Sequence, residues 1–355
     1  MNRFLFAPAL LLFLTQSAFA FDEKQNASAP EDELEQAQSL EKLGVTVNRT
    51  DGRVSAVELQ RSSKVTPQHV KSLSQFTELT EVDIPTSLMT DEVIGHLNQI
   101  PKLKRLNIQT REGAGTFVIN IETMERVKFL GVMGFDYLTD ESFEAIRLPK
   151  NLEAVQFLFA PKITDKALAR LHSLRKLRRL DIDCREVTDA GLLQLKDSLG
   201  MKELHLYDSA VSGTAFRDLP WIVQIEQMSW RSVATDEGVC ALGRCEKLTS
   251  LDLSKSVITD AALKSLSAHR SLQSVTLDGT AVTDQGLSHL AHLRGLEVLQ
   301  LYDCDAVTDS GIAYLSGLPK LRSLAVGGTQ VTGAGAKKLK ASLPNLSILP
   351  AQLLK

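Results

Sequence analysis

The chain has 355 residues, is 43% apolar and 5% aromatic, and carries a net charge of −3. Lys and Arg are spread along its length, so the sequence shows no electrostatic footprint for nucleic acid. Four cysteines, Cys184, Cys240, Cys245 and Cys304, are too few and too scattered for a disulfide framework.

Residues 1–20 read as a signal peptide. Arg3 precedes the apolar run Phe4 to Leu14, and Ala18-Phe19-Ala20 forms an A-x-A site with cleavage after Ala20. The run is too short for a membrane span, and no Cys follows the site to take a lipid anchor. The expected location is therefore secreted or periplasmic. Residues 21–44 form a polar leader and then a capping helix from about Glu31 to Leu43, with Gly44 as its C-cap. Asp51-Gly52 between Val45-Thr46-Val47 and Val54–Leu59 signals a hairpin. It would close the N-terminal end of a repeat array.

Residues 45–336 form that array. A Thr-Asp pair, a small residue and Leu return about every 24 residues, as in Thr188-Asp189-Ala190-Gly191-Leu192 and Thr283-Asp284-Gln285-Gly286-Leu287. The anchors are Thr66, Thr90, Thr139, Thr164, Thr188, Ser212, Thr235, Thr259, Thr283, Thr308 and Thr332. A double gap between Thr90 and Thr139 hides a degenerate copy at Ala114-Gly115. Before each anchor stands an apolar pattern such as Leu248-Thr-Ser-Leu251-Asp-Leu253, whose last two apolar residues alternate as in a strand. Such strands begin at Val54, Leu79, Leu103, Val127, Leu152, Leu177, Met201, Ile225, Leu248, Leu272, Leu296 and Leu321, with a remnant at Leu346.

The other half of each repeat reads as a helix. Thr is a good N-cap, and Asp inside the first turn meets the positive end of the helix dipole. Pro67 after Thr66 supports that placement. Small residues such as Gly191 and Gly286 are expected to let the helix approach the strand layer. A C-terminal cap is expected over 337–355.

These residues resemble the leucine-rich repeat family, with L-x-x-L-x-L followed by V-T-D-x-G-L as in its cysteine-containing subfamily. Cys245 and Cys304 fall at that subfamily's two Cys positions. The resemblance spans roughly residues 45–350, and the protein looks like a bacterial-type secreted member. It implies an α/β leucine-rich repeat solenoid, a horseshoe with a parallel β-sheet on the concave face and helices on the convex face. The turn position usually filled by Asn or Cys holds Ser62, Ser87, Ser209, Ser256, Thr280, Cys304 and Thr329, but also Arg111, Phe135, Ala160, Arg185 and Val233. An irregular stretch is therefore expected in the second to fourth repeats. Cys184 and Cys304 lie five repeats apart, roughly 24 Å, beyond a disulfide. The four cysteines read as buried free thiols, with a Cys240–Cys245 approach as the alternative.

No catalytic or metal motif is present. His289 and His292 share a helix face without a third ligand, and no cofactor is expected. Asp181, Asp183, Glu203, His205 and Asp208 gather carboxylates and an imidazole but lack a nucleophile and an enclosed site, so an enzyme is not expected. The informative residues are those between the apolar strand positions, which project from the concave sheet. One predicted patch is apolar, with Phe129, Met133, Leu158 and Phe159, joined by Phe135 and Tyr137. It is either an exposed binding core or a cluster that an irregular loop buries. The other is charged and aromatic, with Arg105, Asn107, Arg179, Asp181, His205, Tyr207 and Arg231. The expected partner is a protein or peptide held on the concave face. A cell-envelope structural or glycan-binding role is the alternative. Similar repeats also serve as substrate-recognition adaptors of ubiquitin ligases, but the segment before this array is too short for their adaptor-binding module.

Overall fold

The computed structural model describes residues 31–59, 64–110, 118–134 and 137–354. The signal segment, most of the leader, the Ala114-Gly115 copy, Ser62, Arg111 and Phe135 lie outside them.

Helix α1 (Glu31–Lys42) buries Ala37 and Leu40 at the head of the array, and Glu33 accepts the Val54 amide at 2.9 Å. Gly44 follows with φ +83°, the left-handed geometry in which glycine ends helices without strain. Strand β1 (Thr46–Thr50) pairs antiparallel with β2 (Arg53–Glu58). Asp51 and Gly52 between them both have positive φ, as a two-residue primed turn requires.

Every later strand is parallel to its neighbour. The chain adds β3 (Glu81–Pro85) and β4 (Arg105–Gln109), then β5 (Ile119–Asn120), which leaves the main sheet, and β6 (Phe129–Met133), which rejoins it. After β7 (Ile146–Arg147) come β8 (Ala154–Leu158), β9 (Arg179–Ile182), β10 (Glu203–Leu206), β11 (Gln227–Trp230) and β12 (Ser250–Asp252). The sheet closes with β13 (Ser274–Thr276), β14 (Val298–Gln300), β15 (Ser323–Ala325) and β16 (Ser347–Leu349), and has 14 strands in sequence order. β5 and β7 make a separate two-stranded sheet where the repeat logic placed outer helices. The irregularity thus takes the form of strands on the convex side.

The register explains the core. Val57, Val82, Leu106, Leu130, Val155, Leu180, Leu204, Met228, Leu251, Val275, Leu299, Leu324 and Ile348 stand in one row across the sheet, and all are buried. No single repeat could bury this face, so each turn is stabilised by its neighbours.

The opposite side carries short helices: α2 (Pro67–Ser72), α3 (Asp91–Leu97), α4 (Asp140–Glu144), α5 (Asp165–Ala169), α6 (Asp189–Leu193), α7 (Asp236–Ala241), α8 (Asp260–Leu266), α9 (Asp284–Leu290), α10 (Asp309–Ala313) and α11 (Gly333–Ser342). The anchor hydroxyls cap them: Thr188 accepts from Ala190 N, Thr283 from Gln285 N and Thr308 from Ser310 N.

The anchor Asp does more than meet a dipole. Its carboxylate reaches the next turn, one oxygen taking the following anchor's amide and the other its hydroxyl. Asp165 holds Thr188 in this way, Asp260 holds Thr283, Asp284 holds Thr308 and Asp309 holds Thr332, at 2.6–2.8 Å. At Gly191, Gly286 and Gly311 this ladder explains the small residue, whereas at Gly238 the expected close approach to the strand layer holds, since a Cβ there would meet the Trp230 ring of β11. A Cβ at Gly191, Gly286 or Gly311 would collide with Oδ1 of the preceding repeat's Asp165, Asp260 or Asp284. At Ser212 the repeat departs from an α-helix. Gly213 has φ +90°, a 3-10 turn (Thr214–Arg217) follows, and Asp189 accepts from Ser212, Gly213 and Ala215 amides. The space Gly213 leaves is taken by the buried Trp230 ring, whose indole donates to Val211 O at 3.0 Å.

At three of the hydroxyl turn positions the side chain donates back to its own turn, Ser256 to Leu253 O, Thr280 to Leu277 O and Thr329 to Val326 O, whereas Ser209 Oγ is buried without a partner. Beyond β16 a 3-10 turn (Ala351–Leu354) lays Leu353 and Leu354 against the last layer.

Candidate functional site: the concave face

Two rows of side chains line the concave face because the strands are in strict parallel register. The first runs Glu81, Arg105, Phe129, Ala154, Arg179, Glu203, Gln227. The second runs Asp83, Asn107, Gly131, Gln156, Asp181, His205, Ser229, Asp252. Adjacent members are about 4.8 Å apart, within reach of a hydrogen bond between side chains.

They use that reach. Asp181 is 0% exposed. Its oxygens accept from Arg179 Nε at 3.0 Å and Nη2 at 2.9 Å, and from Gln156 Nε2 at 2.8 Å. Arg179 also donates to Glu203 at 3.2 Å. Although burial works against its charge, these carboxylates hold the Arg179 guanidinium above its usual range. His205 is 8% exposed and its Nδ1 lies 3.1 Å from Ser229 Oγ. Burial depresses its basicity and Asp181 opposes this in part, so the ring is neutral at pH 7. The Tyr207 ring stacks on His205 at 6.0 Å with an 8° tilt, and the Arg231 guanidinium lies 5.6 Å from the Tyr207 ring centre. Arg231 is anchored in turn by Asp252, at 2.6 Å from Nε. Burial raises the Tyr207 hydroxyl far above the usual phenol range, so it stays protonated.

At the N-terminal end, Asn107 is 9% exposed and donates to both Glu81 at 2.8 Å and Asp83 at 2.6 Å. Gly131 beside it makes room, since a Cβ there would meet the Asn107 amide. Asp83 is pushed up to about 7, chiefly by burial, with Glu81 and Glu58 adding to the rise and the Asn107 bond opposing it.

The apolar patch is divided. Phe129 is 8% exposed and lies beneath Arg105, whose guanidinium is 3.6 Å from the ring centre. It is covered by a cation from the adjacent strand, not by a loop. Met133, Leu158 and Phe159 are half-buried, and Tyr137 is 43% exposed. Phe159 sits at φ +50° with its amide 3.1 Å from the Asp183 carboxylate.

A family model described as Leucine Rich repeat matches residues 244–267 and 317–340. Among solved structures, Rad7 in its complex with Elc1 from yeast is 19% identical, with a TM-score of 0.57 over 84% of this chain and 81% of that one. The internalin inlF from Listeria monocytogenes is 14% identical, with a TM-score of 0.49 over 88% of this chain and 92% of that one. Internalin C2 from the same organism is 23% identical, with a TM-score of 0.45 over 60% and 84%. No curated protein matches in sequence.

The fold is a leucine-rich repeat solenoid.

Within the solenoid, the predicted contact residues divide by depth. Asn107, Asp181 and His205 were expected to project from the face. They are buried beside longer side chains two residues away along the chain, Arg105, Arg179 and Tyr207, and against groups of the neighbouring strands such as Gln156 and Ser229. Arg105, Arg179, Tyr207 and Arg231 form the outer layer, with Met133, Leu158 and Phe159 beside it. Sequence reading missed Gln156 as a partner of Asp181, although the two stand one period apart. Cys184, Cys245 and Cys304 are buried and free. Cys240 is also free but exposed on α7, where a buried thiol was expected. Among the described residues no cluster of three or more His, Cys, Asp or Glu is placed to hold a metal ion. Among the same residues no helix is long and apolar enough to cross a membrane.

Proposed function

We propose that this solenoid is an exported, non-catalytic binding protein that takes a protein or peptide ligand on the concave face of its central strands. The observation that carries this reading is the ordered layer of Arg179, Tyr207 and Arg231 over buried Asp181 and His205 and half-buried Asp252. Large aromatic and guanidinium groups held in place before a ligand arrives lose little conformational freedom on binding, and such groups dominate binding energy. Met133, Leu158 and Phe159 supply half-exposed apolar area at the same face.

Binding is favoured over catalysis by how the polar groups are occupied. Asp181, buried beneath the layer, has both oxygens engaged by Arg179 and Gln156, so neither is presented unpartnered to a ligand. His205 has no close carboxylate to orient it, since Asp181 Oδ1 is 3.9 Å away. Export is supported by the Arg3, Phe4–Leu14 and Ala18-Phe19-Ala20 segment.

The test is a peptide-display selection on the purified chain, with Tyr207→Ala, Arg231→Ala and Met133→Ala combined as the counter-target. Selected peptides should lose at least about tenfold in affinity for the variant. Binders indifferent to all three changes would remove the concave face from the proposal. Export is checked separately, by N-terminal sequencing of the protein after expression with residues 1–20 intact.

A further inference from the structure

The fold collects cations that the sequence keeps apart. Lys104, Lys128, Glu153, Arg178, Lys202 and Glu226 enter successive strands at the same level. The amide of each donates to the carbonyl of the one before, at 2.7–2.8 Å from Lys128 through Glu226. Their side chains therefore stand in one column along the rim where the strands begin. The turns at this rim, residues 101–105, 125–129, 149–153, 174–179, 200–203 and 224–227, hold eleven Lys or Arg and four Glu, in a chain of net charge −3. The rim thus carries a local excess of positive charge opposite in sign to the molecule.

Much of this charge is uncommitted. Lys104, Lys150, Lys176 and Arg178 are exposed and make no ion pair among the described residues. Lys128, Lys150 and Lys176 line one open groove of about 630 Å³ with Asn151, Glu122 and Glu125. Lys128 has its nearest carboxylate, Glu153, at 4.0 Å. At the concave lip, Arg105 is held flat on Phe129 with Glu81 3.7 Å from Nε, a longer approach than the 2.9 Å of Arg179 to Asp181 or the 2.5 Å of Arg231 to Asp252. Its guanidinium edge is fixed in position and still has donors to offer.

We propose that this rim, with Arg105 at its lip, binds an extended acidic segment of a protein partner, whose carboxylates meet Lys104, Arg105, Arg178 and the Lys150–Lys176 pair. The inference rests on the concave-face reading and names the chemistry of the ligand. A polypeptide fits better than a uniform polyanion. Glu125, Glu153, Glu203 and Glu226 interrupt the cations, and a strand with a charge on every unit would be set against them. A peptide can place carboxylates opposite the cations and neutral residues opposite the glutamates.

The test uses the whole chain with three probes: a Glu-Ser repeat peptide, its Gln-Ser counterpart and a single-stranded DNA oligonucleotide. The variant combines K104Q, R105Q and R178Q, all on half-exposed or exposed side chains. An unchanged thermal midpoint shows that it is folded. The Glu peptide should bind, the Gln peptide should bind at least about tenfold more weakly, and the variant should lose about tenfold for the Glu peptide with a shallower salt dependence. Equal binding of the two peptides, or an unaltered affinity in the variant, overturns the proposal. Tighter binding of the DNA than of the Glu peptide, lost in the variant, overturns it in favour of nucleic acid. If display-selected peptides sense Tyr207→Ala while the Glu peptide is ignored, the acidic-ligand inference fails alone. If nothing senses Tyr207→Ala, the concave-face reading fails with it.

Discussion

Asp284 and Thr308 are joined by a two-pronged contact, with Oδ1 accepting the Thr308 amide at 2.8 Å and Oδ2 its hydroxyl at 2.6 Å. The same hydroxyl accepts from Ser310 N, so one atom caps its own helix and ties it to the helix before. Gly311 completes the arrangement, because any Cβ there would strike the carboxylate. Each pair of repeats joined in this way is linked on the convex side by a polar bond as well as through the core.

The link makes a double-mutant prediction. Asp284→Ala removes two bonds and leaves an amide unpartnered, at about 2–3 kcal/mol. Gly311→Ala alone should cost about 1–3 kcal/mol, because the carboxylate is clamped and cannot move aside. The double variant should be less destabilised than the two effects added, since the collision disappears with the carboxylate. Urea unfolding measures all three. Strict additivity would show that Gly311 is small for another reason.

Asp181 anchors the concave network. Asp181→Ala strands Arg179 and Gln156 in a half-buried layer and should destabilise by about 3–5 kcal/mol. Asp181→Asn keeps an acceptor and should be milder. If both variants unfold like the parent in urea, the layer contributes nothing to stability and its rigidity is not built in.

Asp83 gives a pH dependence with a defined sign. Its folded-state pKa of about 7 lies above the ordinary carboxylate value, so the folded chain holds a proton that the unfolded chain has lost. Its contribution to stability is therefore full below about pH 4 and declines as pH rises toward 7. Asp83→Asn, which cannot ionise, should be more stable than the parent at pH 8 by up to about 4 kcal/mol and indistinguishable at pH 4. Thermal midpoints at the two pH values decide it, and a variant less stable than the parent at pH 8 would refute the assignment.

The cysteines should differ in reactivity. Burial pushes the Cys245 thiol up to about 12 and those of Cys184 and Cys304 above their ordinary values, whereas Cys240 is exposed. A thiol reagent under native conditions should add one label, at Cys240, by intact mass. Full labelling requires unfolding, and rapid native labelling at Cys304 would contradict the packing around it.

The period of the Thr-Asp anchors was enough to place the strands, because side-chain alternation and helix capping are local and appear directly as spacing. It also assigned which residues face the concave side, such as Arg105, Tyr207 and Arg231. It did not show which of these are exposed. Asn107, Asp181 and His205 occupy concave positions and are buried, since depth depends on how groups two residues away such as Arg179 and Tyr207 and groups a repeat away such as Gln156 and Ser229 close over them in space. The role of Gly286 was hidden for the same reason: the atom that forbids its Cβ belongs to Asp260. The basic rim is the clearest case. Along the chain Lys104, Lys128, Arg178 and Lys202 are scattered charges, and only the parallel register, bringing residues about 24 apart to about 4.8 Å, makes them one surface. The repeat unit and its capped, alternating halves were determined by the sequence alone. The chemistry between units was decided by the tertiary structure, because hydrogen bonding, burial and charge density depend on distance in space.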